Sequence, residues 1–79
     1  MKTMQEIREW CNEHVTMKSR LDYYTGAADH YILTFENGDT YEYNDRGDAW
    51  KKTVEIKLNG ELVNVTNYEY HNFGWRAVA

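Results

Sequence analysis

Cys11 and His14 are the first pair along the chain whose types and spacing could do chemistry. Three apart on a helix they would share a face, and an imidazole beside a thiol can take its proton and leave a nucleophile. An activated thiol also needs an orienting third residue or a helix N-terminus, and neither serves Cys11. Both residues therefore read as the edge of a core-facing stripe, where a free cysteine behaves as a small hydrophobe.

His14, His30 and His71 could meet at a metal, joined by Asp29 or Asp45. Strong metal motifs carry local pairs such as HxxxH, and none is present, so neither metal nor cofactor is expected. Arg46-Gly47-Asp48 matches the adhesion tripeptide, but it sits in "NDRGDAW", a run of turn formers that reads as a loop. That loop lacks the ligand spacing of a calcium site. There is no glycine-rich phosphate loop, no G-x-S-x-G elbow and no Ser/His/Asp set. The expectation is a protein without catalytic residues.

Two patterns remain. Asp39, Glu42, Asp45 and Asp48 recur about every three residues. They read either as a solvated face or as a row of carboxylates that imitates nucleic-acid phosphates toward a basic protein. The second pattern is "VTNYEYHNFGWR", residues 65–76, where rings alternate with Asn, Glu and Gly. Tyr68, Tyr70 and Trp75 are either filling for a small core or rigid anchors on a binding surface.

Charge narrows the partner. From Asp22 to Asp48 seven acids face one base, Arg46, while the rest of the chain carries eight bases against six acids. Phosphate neutralisation needs the opposite bias, so direct nucleic-acid binding is not expected and a basic protein surface is favoured. No stretch has membrane-spanning length. A single cysteine and an opening segment without a signal-like apolar run point to a cytoplasmic setting, in a bacterial or host cytosol.

The elements that must position these groups follow from periodicity. Thr3-Met4-Gln5-Glu6 is a capping box, and Met4, Ile7, Cys11, His14, Val15 and Leu21 recur at helical spacing. The spacing predicts a helix over about 3–20, with "TGAAD", residues 25–29, opening a loop at Gly26. "HYILTFENGDTYEYND" predicts a hairpin. A three-residue loop ending at Gly38 puts Tyr31, Leu33, Phe35, Tyr41 and Tyr43 on one side, whereas a two-residue turn would mix polar with apolar.

In "TVEIKLNGELVNVT" an Asn59-Gly60 turn pairs Ile56 with Val63 and Val54 with Val65, leaving Leu62 as the odd apolar residue outside. If that inward parity continued, Asn67 and Glu69 would be buried and Tyr68 and Tyr70 exposed. Either a bulge near Thr66-Asn67 flips the phase or the two tyrosines face outward. The tail "FGWRAVA" alternates as a short further strand would.

The expected architecture is a single small α+β domain over 1–79. One N-terminal helix packs on a four-stranded antiparallel sheet, five-stranded with the tail, made of two consecutive β-hairpins. The expected function is a non-catalytic, protein-binding inhibitory module. Its size, acidity and aromatic content suit a phage or mobile-element antagonist of the anti-CRISPR or DNA-mimic type, acting on a nucleic-acid-handling complex. The alternatives are a homo-oligomeric assembly component, with a homodimer through an apolar sheet face, or a small-ligand or metal-binding domain using His14 or His71.

Overall fold

A computed structural model describes residues 1–14 and 21–78. Helix α1 (Met4–Glu13) is followed by β1 (Leu21–Ala27), β2 (His30–Phe35), β3 (Thr40–Gly47), β4 (Lys51–Leu58), β5 (Glu61–His71) and β6 (Gly74–Val78). The six strands form one antiparallel open sheet in chain order, and α1 packs on one of its faces. The α+β architecture is as expected, but the strand count is not.

The capping box forms. The Glu6 amide donates to Thr3 Oγ1 and the Thr3 amide to Glu6 Oε1, each at 3.1 Å. These two bonds satisfy amides that a helix start leaves without partners, and they hold the Glu6 carboxyl below its ordinary pKa. The described helix ends at Glu13 with His14 as its cap. The remainder of the expected helix, with Val15, Lys18 and Arg20, lies outside the described residues. Leu21 is not on the helical stripe: it opens β1, opposite Phe35.

Strand β1 is the correction to the four-strand expectation. Thr25, Gly26 and Ala27 belong to it, and only Ala28 and Asp29 turn. Gly26 is there because the strands approach closely. A Cβ at this position would run into the His30 carbonyl and stand 2.7 Å from the Tyr31 Cα, and its φ is +115°. Glycine marks a tight backbone approach here rather than a break.

The β2–β3 hairpin adopts the segregated register. Tyr31 faces Tyr43, Leu33 faces Tyr41, and the Phe35 amide donates to the Asp39 carbonyl at 2.9 Å. The β4–β5 hairpin turns at Asn59-Gly60 as expected, with φ of 54° and 80°. Its pairing then slips. Lys57 faces Leu62, but Ile56 faces Asn64, so Val63 is the extra residue of a bulge. Val54 therefore faces Thr66 and not Val65, and Val65 moves to the other face beside Glu55.

Of the two alternatives for the ring pattern, a bulge and outward tyrosines, the structure has the bulge, three residues earlier than Thr66-Asn67. A bulged residue loses its ladder partner. Here the Val63 carbonyl accepts from the Lys2 amide at 2.9 Å, and Asn64 Nδ2 donates to the Lys2 carbonyl at 3.0 Å. The first residues of the chain thus strap the bulge. Beyond it, even-numbered residues face the helix side, which brings Tyr68 and Tyr70 onto the same face as Ile56.

From that strap α1 crosses to the β2–β3 turn. Ten residues at a rise of ~1.5 Å cover ~15 Å, about three strand spacings, which is the distance from β5 to β2. It buries Ile7 against Val54, Ile56, Leu58 and Val63, with Met4, Trp10 and Cys11 around them. Phe35, also buried, meets the Trp10 ring edge-on at 5.8 Å. No described helix is long and apolar enough to cross a membrane.

Candidate functional site

The helix lies across the strands at the end where the β2–β3 and β4–β5 turns stand, so it covers that half of the inner sheet face. On the other half the rings stand in two chains. Tyr24, Tyr31 and Tyr43 stack across β1, β2 and β3, with centroids 5.5 and 5.2 Å apart. Trp50, Tyr70 and Trp75 meet edge-to-face at 6.0 and 5.4 Å, where the β3–β4 turn meets β5 and β6. Offset and T-shaped contacts are the favourable geometries for aromatic quadrupoles, so each chain holds its own rings in place.

Lys52 and Asp45 stand between the chains. Lys52 Nζ lies 3.3 Å from Asp45 Oδ2, 4.5 Å from the centre of the Trp75 ring and 5.5 Å from that of Tyr68. A cation over aromatic faces beside a carboxylate is a neutralised charge, which lets it sit among rings without a large desolvation cost. A shallow cleft of about 270 Å³ runs from here to Met4, with Tyr43, Thr66 and Tyr68 among its walls. Burial pushes the Tyr43 hydroxyl up in pKa, with Asp45 adding to the shift, so the phenol stays neutral.

The outermost ring is Phe73. It occupies the β5–β6 turn with Asn72, and φ is 51° at Asn72 and 62° at Phe73. This is the backbone of a two-residue hairpin turn that normally takes Asn-Gly. Phenylalanine in the left-handed region carries a steric cost of about 1–2 kcal/mol. It gains no packing in return, since Phe73 is 97 % exposed. Trp50, at the neighbouring turn, is 66 % exposed. The Tyr70 amide donates to the Trp50 carbonyl at 2.8 Å, which ties the two turns into one end of the sheet.

The sequence-expected site residues divide between two settings. Tyr68, Tyr70 and Trp75 come together on the inner face. Tyr68 is half-buried and packs on the core, while Tyr70 and Trp75 belong to the open aromatic end. The four acids do not form one row. Asp39 lies at the β2–β3 turn and contacts His14, Asn37 and Asn59. Glu42 stands on the outer face, 2.8 Å from His30 Nε2, while Asp45 is on the inner face with Lys52.

Asp48 accepts from the Trp50 and Lys51 amides at 2.8 and 2.9 Å, and these bonds lower its pKa. It closes the turn that presents Trp50. Strand alternation placed Glu42 and Asp45 on opposite faces, three residues apart being an odd number. Phe73 and Trp50 are not among the expected site residues, although Phe73 lies in the ring-rich stretch 65–76. The available signal was Asn72-Phe73-Gly74 between two alternating runs, a tight turn with a bulky residue where glycine is cheapest.

The chemistry candidates resolve into contacts. Burial raises the Cys11 thiol in pKa, away from a thiolate. His14, His30 and His71 each face a separate carboxylate, Asp39, Glu42 and Glu69 respectively. Among the described residues no group of three His, Cys, Asp or Glu is placed to hold a metal ion. Arg46 pairs with Glu55 at 2.7 Å on the outer face.

Among the described residues this is an α+β fold, one helix on a six-stranded sheet with an aromatic end. Comparison with family models, with curated proteins and with solved structures returns no match.

Proposed function

We propose that the protein is a non-catalytic binding module that holds a larger protein through the aromatic end of its sheet. The observation that carries this reading is Phe73, a strained and fully exposed ring beside Trp50, Tyr70 and Trp75. A residue that breaks a local rule with no structural compensation points to a role outside the fold. Exposed Trp, Tyr and Phe supply large rigid contact area at low entropic cost, and such residues dominate binding energy at interfaces.

The net charge of −4 favours a partner with a basic surface, steering encounter more than fixing the bound state. A nucleic-acid-handling complex, blocked sterically as phage and mobile-element antagonists such as anti-CRISPR proteins block theirs, is the target class this make-up fits. The DNA-mimic variant of that idea draws no support from the acids, which are spread over two faces and two turns.

The test compares capture from a host lysate by the wild type, Phe73→Gly, Trp75→Ala and Leu62→Ala, each checked for native circular dichroism. Leu62 is exposed on the outer face and serves as the control. A protein retained by wild type and Leu62→Ala, and lost at least tenfold with Phe73→Gly and Trp75→Ala, supports the reading. Equal retention by folded Phe73→Gly ends it.

A further inference from the structure

His14 is the one polar residue among the described residues that is buried, with 8 % of its surface exposed. Its ring sits where the end of α1 meets the β2–β3 turn. It stacks on Trp10 with centroids 3.8 Å apart and leans on Phe35 at 4.9 Å. Nδ1 lies 2.9 Å from the Trp10 carbonyl oxygen, and Nε2 lies 2.7 Å from Asp39 Oδ2.

Both of these partners accept hydrogen bonds, and a backbone carbonyl can do nothing else. A neutral imidazole carries one N–H and one lone pair. With Asp39 ionised, either neutral tautomer would therefore aim a lone pair at an acceptor under 3 Å away. The imidazolium donates to both, and the Trp10 face beneath it favours a cation. The geometry selects the charged ring. Asp39 is in turn held by Asn37 Nδ2 at 3.0 Å and Asn59 Nδ2 at 3.1 Å, so the carboxylate cannot swing away without giving up those bonds.

We propose that His14 is a pH-sensitive latch, whose imidazolium ties the end of α1 to the β2–β3 turn and whose deprotonation releases that end of the helix from the sheet. Among the described residues the charged groups facing the ring are Asp39, on the turn, and Glu13, on its own helix. Both are acids and both favour the cation.

Burial works against the charge, and the bonds to Asp39 and the Trp10 carbonyl outweigh it, so the ring stays protonated above its ordinary pKa of 6.5. The bond to His14 leads the causes that hold Asp39 below its ordinary 3.8. The histidine's contribution is complete below 6.5 and is lost as pH rises through its folded value. The aspartate's is complete above 3.8 and is lost as pH falls through its own. The latch is closed between those limits and opens on the alkaline side by losing the His14 proton.

Nitrogen-detected NMR of the histidine rings tests the charge directly. At pH 6 both His14 nitrogens should carry protons, and the ring should deprotonate above 6.5. Amide protection in α1, taken relative to β4 amides at each pH, should fall about tenfold across that same transition, as expected on losing a hydrogen bond to a charged group. In Asp39→Asn the transition should move to lower pH, and in His14→Gln the pH dependence should vanish. If His14→Gln does not fold, Asp39→Asn alone decides. A singly protonated ring at pH 6, or helix protection that ignores the transition, overturns the proposal.

Discussion

The two halves of the inner sheet face share one set of strands and behave as different materials. Under α1, Phe35, Ile56, Leu58 and Val63 are buried and meet Ile7 and Trp10 from above. Beyond the helix, Tyr24, Tyr31, Tyr70 and Trp75 meet neighbouring rings on the sheet rather than the helix and remain at least partly open to water. The covered half uses branched aliphatics, which have no polar edge and stabilise in proportion to the area taken out of water. The open half uses rings with polar edges, which tolerate water and keep their shape through ring-to-ring contacts. Apolar area is therefore stabilising the fold on one half and is left available for a partner on the other.

Substitutions can break or sharpen that contrast. The largest effect belongs to the covered half. Ile56→Ala, at a residue 2 % exposed, should lower unfolding free energy by about 3 kcal/mol in a urea titration. Tyr70→Ala, on the open half, should cost about 1 kcal/mol in the same titration, the worth of its two edge-to-face contacts. Equal losses at the two sites would erase the distinction.

Thr3→Ala removes the cap of the helix that divides the halves, and should cost about 1 kcal/mol with loss of α1 amide protection. Phe73→Gly should move the other way, raising stability by up to about 1 kcal/mol by relieving the left-handed strain. A destabilised Phe73→Gly would mean the ring packs after all. Lys52→Met keeps the side chain's length but removes a largely buried ion pair and leaves the Asp45 carboxylate among rings without its cation, and should cost about 1 kcal/mol in thermal unfolding.

Particular residues show why some of this was legible before any coordinates. Thr3 and Glu6 encode their cap locally, because both partners lie within one helical turn. The Tyr31–Tyr43 and Leu33–Tyr41 pairs were legible because a slip of one residue would have turned every ring to the wrong face. Asn59-Gly60 announced its turn through the positive φ that those two residues accept most readily.

Gly26 misled, since the same residue type serves a break and a close strand approach, and only the neighbouring strand tells them apart. The acids misled in another way: spacing along the chain carries no information about faces until alternation and turn geometry are applied residue by residue. Phe73 was overlooked because exposure is a property of what does not pack against it.

The cap, the Gly38 and Asn59-Gly60 turns and the alternation that sorts side chains across a pleat are encoded locally, since each is settled by interactions a few residues long. The bulge at Val63 depends on a long-range contact, since the bond that takes up its carbonyl comes from the Lys2 amide, about sixty residues away in sequence. That distant bond set the phase of β5, and with it the face on which Tyr68 and Tyr70 stand. The end of the strands over which α1 lies then decided which rings are enclosed and which remain for another molecule to touch.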